Sequence, residues 1–548
     1  MGMLKPVNVF AASSRETTGY FGVHPFIEQH PEAVFIMHTN VDVKTNGDAN
    51  QGEGTRFANE VLVPKDKTGF PTSQLIPIKP NITGGGGNSY NSMGIITDPR
   101  FVEGVIEGMK QLGIPGKQFH LREVNGRNWE KHVYYPVAQR TGADLHNMSG
   151  RVSAVDVSKL RERTAKADPI PDDEVVWVDI PNGMVLRKFA YLWPIHAPNT
   201  FLMNIAKFKA HEMGLTLCIK NFQGACANPY QLCCWKMESV LMLPKEHVNP
   251  NAQKDNEASY KRHVNTIPRW DRTLNVEESA KGQGARDIRD VYDAVCQEIW
   301  TNRTLDSISA TKFNLCVIEG IYGRDGDFGI GPNPEGNEDN PRGKAWDYMT
   351  NIVIFGMDPF RVDIVGKWLG GHEPGNFGLF HIAMERGLLD VMNPMNIPVY
   401  HWENHQAVMK PLTWFNRTPL KTFYLQRNYN GGTEPFWHLC DEPFDYSQVS
   451  EVKSTIPSRP GARVLTQANQ TASYQRVPIE YIIPEKGNVT LEILNDKGET
   501  VVIPVIAIRD RGTHLTSWDT STYESGKYAY RFRWNDYSET REILLQKS

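Results

Sequence analysis

The sequence predicts an α/β fold: a Rossmann-like, mostly parallel sheet with helices, followed by a small C-terminal all-β sandwich. Three observations carry this prediction. Apolar runs of strand length alternate with stretches of helical spacing from about residue 70 to residue 400, the rhythm of a parallel sheet with crossover helices. Several of the strands run directly into glycine-rich or polar segments, as strands of open sheets do at their ligand-bearing carboxyl ends. From residue 472 onward the pattern changes to short alternating strands punctuated by turns such as Asp496-Lys497-Gly498 and Glu524-Ser525-Gly526, the pattern of a β-sandwich. The chain therefore divides into an α/β part (1–445, with an elaboration at 227–312), a Ser-, Pro- and Gln-rich linker (446–471) and the sandwich (472–548).

The 548 residues exceed one ordinary core. A formal net charge of −4 argues against nucleic acid as the main partner. No run of 18 apolar residues predicts a membrane span. The opening MGMLKPVNVFAASS is a poor secretory leader, so location stays open, with a lean outward from the cytoplasm drawn only from the C-terminal part.

In order, AVFIMHTN (33–40) is the clearest strand of the first 70 residues, and no strong helix is expected there; Asn40, Asp42, Asn46 and Asp48 read as a polar loop. QLIPIKPN (74–81) is a strand ending near Lys79 and Asn81, followed by four glycines at 84–87. Asp98-Pro99 then opens a helix, with Asp as N-cap, Pro in the first turn and Gly113 as stop. Strand, glycine-rich loop and helix together can cradle an anion, yet the loop is neither G-x-G-x-x-G nor a Walker sequence, so no nucleotide fingerprint is present. QFHLREVNG (118–126) is the next strand. EVVWVDI and GMVLRKFAYLW form an antiparallel pair around Pro181-Asn182-Gly183. Residues 286–300 have the spacing of an amphipathic packing helix.

The stretch 204–225, NIAKFKAHEMGLTLCIKNFQGA, is the centre of the functional reading. A buried strand delivers Lys207, Lys209 and His211, and a short turn then delivers Lys220, Asn221 and Gly224. Several ammonium groups near one imidazole attract an anion and lower the imidazole pKa. Solvated loop lysines are the competing account.

This stretch resembles the core of the bacterial and archaeal family catalogued as domain of unknown function 362, in which a Lys-x-Lys-x-His segment precedes a Lys-Asn-x-x-Gly segment. The resemblance extends over about residues 70–400. It takes in Lys79-Pro80-Asn81, Thr97-Asp98-Pro99, Gly329-x-Gly331-Pro332, and Gly356, Asp358, Pro359 and Asp363. Glu319-Gly320 stands where the family usually has Asp-Gly, and Arg361 where a small residue is usual. The family has no well-established general activity, so the resemblance implies a fold and a set of ligand-binding positions rather than a reaction.

Two further constellations are metal candidates. KFNLCVIEGIYGRDGDFG delivers Glu319 and then Asp325 and Asp327, carboxylates two apart in a glycine-rich loop that can hold a divalent cation or simply make acidic turns. His401 and His405 in YHWENH have i, i+4 spacing, and a strand or loop there sets the rings apart. The seven cysteines (218, 226, 233, 234, 296, 316 and 440) form no C-x-x-C pair, although Cys218, Cys226, Cys233 and Cys234 cluster around the core stretch and make Cys218 and Cys226 further candidates for a metal or cluster.

The segment GTHLTSWDTSTYESGKYAYRF resembles the immunoglobulin-like module of flagellar hook-capping and secreted bacterial proteins. That resemblance implies core packing for Trp518 and Tyr528, and a role in attachment, assembly or self-association.

The combined expectation is an enzyme-like cleft for a small anionic molecule. Lys79, Asn81, Lys207, Asn221, Gly224, Gly356, Asp358 and Asp363 line it, and His211, Lys209, Lys220 and Glu319 do acid/base work. Two alternatives stand beside it. One is a redox protein using a divalent metal or an iron–sulfur cluster supplied in trans. The other is a non-catalytic surface or filament component.

Overall fold

The computed structural model describes residues 19–82, 93–124, 133–145, 175–211, 214–227, 243–263, 294–326, 345–422, 443–449, 463–464, 476–483, 486–509, 512–535 and 537–545. The chain forms two compact units. One comprises Met1–His24, Glu32–Ala383 and Val391–Ser450, the other Pro25–Pro31, Met384–Asp390 and Glu451–Ser548.

The first unit is built on a 10-stranded sheet. Its strands are β1 (Val34–His38), β2 (Ile76–Pro80), β3 (Phe119–Leu121), β4 (Asp144–Leu145), β5 (Met203–His211), β6 (Gly214–Thr216), β7 (Leu315–Arg324), β8 (Asp347–Gly356), β9 (Val399–Glu403) and β10 (Gln406–Met409). The order is β10-β9-β1-β8-β7-β5-β2-β3-β4, with β6 paired to β5. β8, β10 and β6 run against the rest, so the sheet is mostly parallel. Every residue of β5 is buried, as expected of a central strand covered on both faces.

Five helices matter for the site: α1 (Gly47–Val61), α2 (Pro99–Gln111), α3 (Cys218–Phe222), α4 (Ala294–Ser309) and α5 (Pro359–Leu369). α2 begins as its sequence dictates, with the Asp98 carboxylate accepting from the N–H groups of Arg100 and Phe101 at 2.8 and 3.1 Å.

α1 corrects the expectation of no strong helix before residue 70. Asn46 is not a loop residue but its N-cap, accepting from Ala49 N at 3.2 Å. Glycines and polar residues hide the periodicity of α1. They are there because α1 lies backbone-to-backbone on α2, where a Cβ on Gly54 would collide with the Phe101 carbonyl and one on Gly104 with the Gln51 carbonyl.

The strand expected through residue 126 stops at Leu121. The antiparallel pair is present, Val175–Asp179 against Lys188–Leu192, and the connection between them turns at Pro181-Asn182-Gly183, where the Gly183 N–H donates to the Ile180 carbonyl at 2.9 Å. That connection is held from a distance: the Asp306 carboxylate on α4 accepts from Met184, Val185 and Leu186 N–H at 2.9, 2.8 and 2.9 Å. α4 also runs past the expected end at Trp300 to Ser309.

The second unit contains two antiparallel sheets. One joins β11 (Arg476–Ile483) to β14 (Gly512–Asp519). The other runs β13-β12-β15-β16, where β12 is Gly487–Leu494, β13 Thr500–Arg509, β15 Gly526–Trp534 and β16 Tyr537–Leu545. Ile479, Tyr481 and Trp518 from the first sheet share one core with Val489, Leu491, Ile493, Tyr530 and Phe532 from the second. Tyr528 packs edge-on to Trp518 at 5.0 Å.

Candidate functional site

The site begins with a stagger in the sheet. β2 pairs with β5 only as far as Pro80 opposite Ile205, while β5 continues to His211. Lys209 pairs with Thr216 of β6 on one edge and with Arg324 of β7 on the other. β6 thus takes over the edge that β2 leaves, and α3 follows at once. This turn sets α3 beside the end of β2, bringing two sequence-distant motifs together.

The first cluster is closed on itself. The Lys79 ammonium donates to Glu123 Oε2 at 2.5 Å, to Asn221 Oδ1 at 3.1 Å and to the Pro80 carbonyl at 2.7 Å. Asn221 returns its amide to the Lys79 carbonyl at 3.0 Å and to Asn204 Oδ1 at 2.8 Å, and Asn81 donates to Asn221 Oδ1 at 3.1 Å. Burial pushes the Lys79 pKa down, against the pull of Glu123. Gly224 belongs here for space: a Cβ at that position would collide with the Glu123 carboxylate.

Lys207 forms a second closed cluster. Its ammonium lies 2.9 and 2.7 Å from the two Glu319 oxygens and 3.4 Å over the Tyr322 ring. Glu319 also accepts from the N–H groups of Asp98 at 3.0 Å and Ile321 at 3.1 Å. Tyr322 donates to Asp98 Oδ2 at 2.6 Å. Burial holds the Glu319 carboxyl above its usual range against the pull of Lys207. Lys207 and Glu319 are direct cross-strand partners, so the parallel register itself makes the pair.

The third cluster has a different sign balance. His211 is buried, edge-on to Trp300 of α4 at 5.6 Å. Burial, then the charges of Lys220, Lys209 and Lys367, hold its pKa well below the ordinary value. Lys209 and Lys220 are buried with it. Lys367, near the end of α5, was not singled out from the sequence. Its Nζ lies 3.7 Å over the Phe377 ring and so close to Gly214 that a Cβ there would collide with it. Gly214 is the cross-strand partner of His211, and its φ of +99° is one that glycine adopts without strain. Thr422 ties the hairpin, donating to the His211 carbonyl at 2.6 Å and to the Gly214 carbonyl.

Asp363 joins the clusters from below. Its carboxylate accepts from Cys218 N at 2.7 Å and Ile219 N at 2.8 Å, the first N–H groups of α3. Burial raises its pKa to about 7 against those hydrogen bonds and Lys367. It therefore places α3, which carries Lys220 and Asn221.

Not every expected residue converges here. Gly356 pairs with Cys316 and Val34, at the amino-terminal ends of their strands, because β8 is antiparallel. Gly356 and Asp358 therefore sit at the amino edge of the parallel strands, away from Lys209 and His211. Asp358 caps α5 through Phe360 N at 2.8 Å. Asp325 lies at the carboxyl edge but accepts from Trp346 N at 2.7 Å and Tyr348 OH at 3.0 Å, which ties it to the start of β8. His401 is on β9, separated from β5 by β1, β8 and β7, and contacts His38 at 3.2 Å; His405 lies beyond it in a turn at φ +62°.

Cys218, Cys226 and Cys316 are buried free thiols. Burial pushes the Cys218 and Cys316 thiols up, away from the thiolate that binds metals. Among the described residues no group of three or more His, Cys, Asp or Glu is arranged to hold a metal ion. Asp327, Gly329, Gly331, Cys233, Cys234, Cys440 and the glycines at 84–87 lie outside the described residues. The charged partners Glu123, Asp98 and Lys367 were the main omissions. Spacing could not reveal them, because each comes from a separate element.

The family described as Domain of unknown function (DUF362) matches residues 76–367, and the chain belongs to that family. No curated protein matches the chain. Among solved structures, the first immunoglobulin domain of mouse SynCAM 2 is 14% identical over 16% of this chain and 95% of its own, with a TM-score of 0.12. The endo-β-1,4-mannanase from Thermotoga petrophila is 9% identical over 82% of this chain and 83% of its own, with a TM-score of 0.15. Neither likeness carries an argument about fold or function. Among the described residues no helix is long and apolar enough to cross a membrane.

Proposed function

We propose that the α/β unit binds a small anion, a carboxylate or phosphate, at the carboxyl end of β5, and that neutral His211 exchanges a proton with it. The observation that supports this is the field at His211: among the described residues, the charges that lower the pKa of the ring are lysines, from β5, α3 and α5. Lys79 and Lys207 are neutralised by Glu123 and Glu319 and serve as framework, while Lys209, Lys220 and Lys367 concentrate positive charge in a low-dielectric place. An anion entering there would raise the imidazole pKa and so make His211 competent as an acid.

Calorimetric titration with phosphate, sulfate and small carboxylates tests the reading. Lys209→Met and Lys220→Met should each weaken binding at least tenfold, and His211→Ala should abolish turnover of any substrate found while the protein stays folded. Absence of binding for all these anions would overturn it.

For the second unit we propose an immunoglobulin-like sandwich used in self-association. The supporting observation is the edge strand β13, which exposes Ile506 and Ile508 (73% and 65%). Sedimentation should show concentration-dependent association that Ile506→Lys removes; a strict monomer would overturn it.

A further inference from the structure

Of the lysines buried around β5, Lys367 has the surroundings of a nucleophile. Lys79 and Lys207 are paired with glutamates at 2.5 and 2.7 Å. The Lys367 side chain makes no hydrogen bond or ion pair within bonding distance among the described residues; its amine lies 3.7 Å over Phe377 and against Gly214. Asp363, one helical turn earlier, has both oxygens committed to α3. The Phe377 ring face and the Asp363 charge favour the ammonium form, but burial opposes them and brings the pKa down to about 7. His211, a ring that burial keeps neutral, stands across the hairpin from Gly214.

We propose that Lys367 forms an imine with the carbonyl carbon of an anionic oxo compound, such as a 2-oxo acid, whose carboxylate is held by Lys209 and Lys220. This rests on the anion-site reading and names its substrate class. The neutral amine attacks the carbonyl carbon, the C–N bond forms, and the carbonyl electrons move to oxygen. His211 takes the proton lost by nitrogen and returns it to that oxygen, giving a neutral carbinolamine. The carbinolamine expels its oxygen as water, taking up one proton, and leaves an iminium. Nothing is oxidised or reduced. A desolvated lysine with depressed pKa is the usual means of making an amine nucleophilic at neutral pH.

The full chain would be treated with glyoxylate or pyruvate and sodium cyanoborohydride at pH 7, digested, and mapped by mass spectrometry. The reductant adds hydride to the iminium and fixes the adduct. Lys367 should be labelled at least tenfold faster than the surface lysines, and phosphate should protect it. Lys367→Arg, with its fold verified by circular dichroism, should lose that label alone. Labelling of Lys367 no faster than the surface lysines would overturn the proposal; if phosphate still binds in that case, the anion site stands without the imine. Equal labelling by butyraldehyde and glyoxylate, with no protection by phosphate, would keep a reactive Lys367 and overturn the anionic substrate class.

Discussion

Lys207 and Lys209 are two residues apart on one strand, equally buried, yet they belong to different regions of the molecule. Lys207 faces Glu319 across a parallel register and is closed by Asp98 and Tyr322. Lys209 lies past the irregularity in that register, where β6 replaces β2 and the neighbours become His211, Lys220 and Lys367. The first region pairs the Lys207 ammonium with the Glu319 carboxylate and reads as framework. The second gathers Lys209, Lys220 and Lys367 around His211 and is where the proposed chemistry lies. Burial by itself does not mark a functional lysine; Lys207 is buried and is paired with Glu319.

The largest expected effect breaks the framework side. Glu319→Gln leaves the Lys207 ammonium buried without its counter-ion and should cost about 3–5 kcal/mol in the urea transition of the α/β unit. Adding Lys207→Met should recover most of that loss. A cost below about 1 kcal/mol would mean that the pair is not framework.

Gly214→Ala tests the other side. At φ +99° with Lys367 against it, an added methyl should cost about 1–3 kcal/mol in thermal melts and slow labelling of Lys367.

Lys367→Met sharpens the comparison through pH. With a folded pKa near 7 against an ordinary 10.5, the unfolded chain holds a proton between those values that the folded chain lacks. Wild-type stability should therefore rise across that window, and the penalty is complete below about pH 7. Lys367→Met should melt higher than wild type at pH 6, by on the order of 1 kcal/mol or more, and the gain should shrink toward pH 10. A gain independent of pH would contradict the assignment.

The smallest effect concerns the far edge of the sheet. Asp358→Ala removes an N-cap and should cost about 1 kcal/mol. Phosphate affinity should not change, which calorimetry checks. Asp363→Asn, on the same helix, should weaken phosphate binding by loosening α3.

Much of the architecture is legible in the chain. Asp98-Pro99 and Asp358-Pro359 start their helices because a carboxylate cap and a preset φ act locally. The strand through Lys207 and His211 is legible from its apolar run. α1 is not legible, since its glycines weaken helix propensity and are required only by contact with α2. Grouping Gly356 and Asp358 with His211 failed because a sequence carries no strand direction: β8 reverses, and its carboxyl end falls at the opposite edge.

The sequence by itself determined the alternation of strands and helices, the Asp98 and Asp358 caps, the family and the lysines of the core stretch, all properties of local pattern and side-chain chemistry. Tertiary structure alone decided which lysines are neutralised, that Lys367 joins His211, and that Asp363 holds the start of α3. Those outcomes depend on register, strand direction and burial, which set the distance and dielectric between charges far apart in the chain.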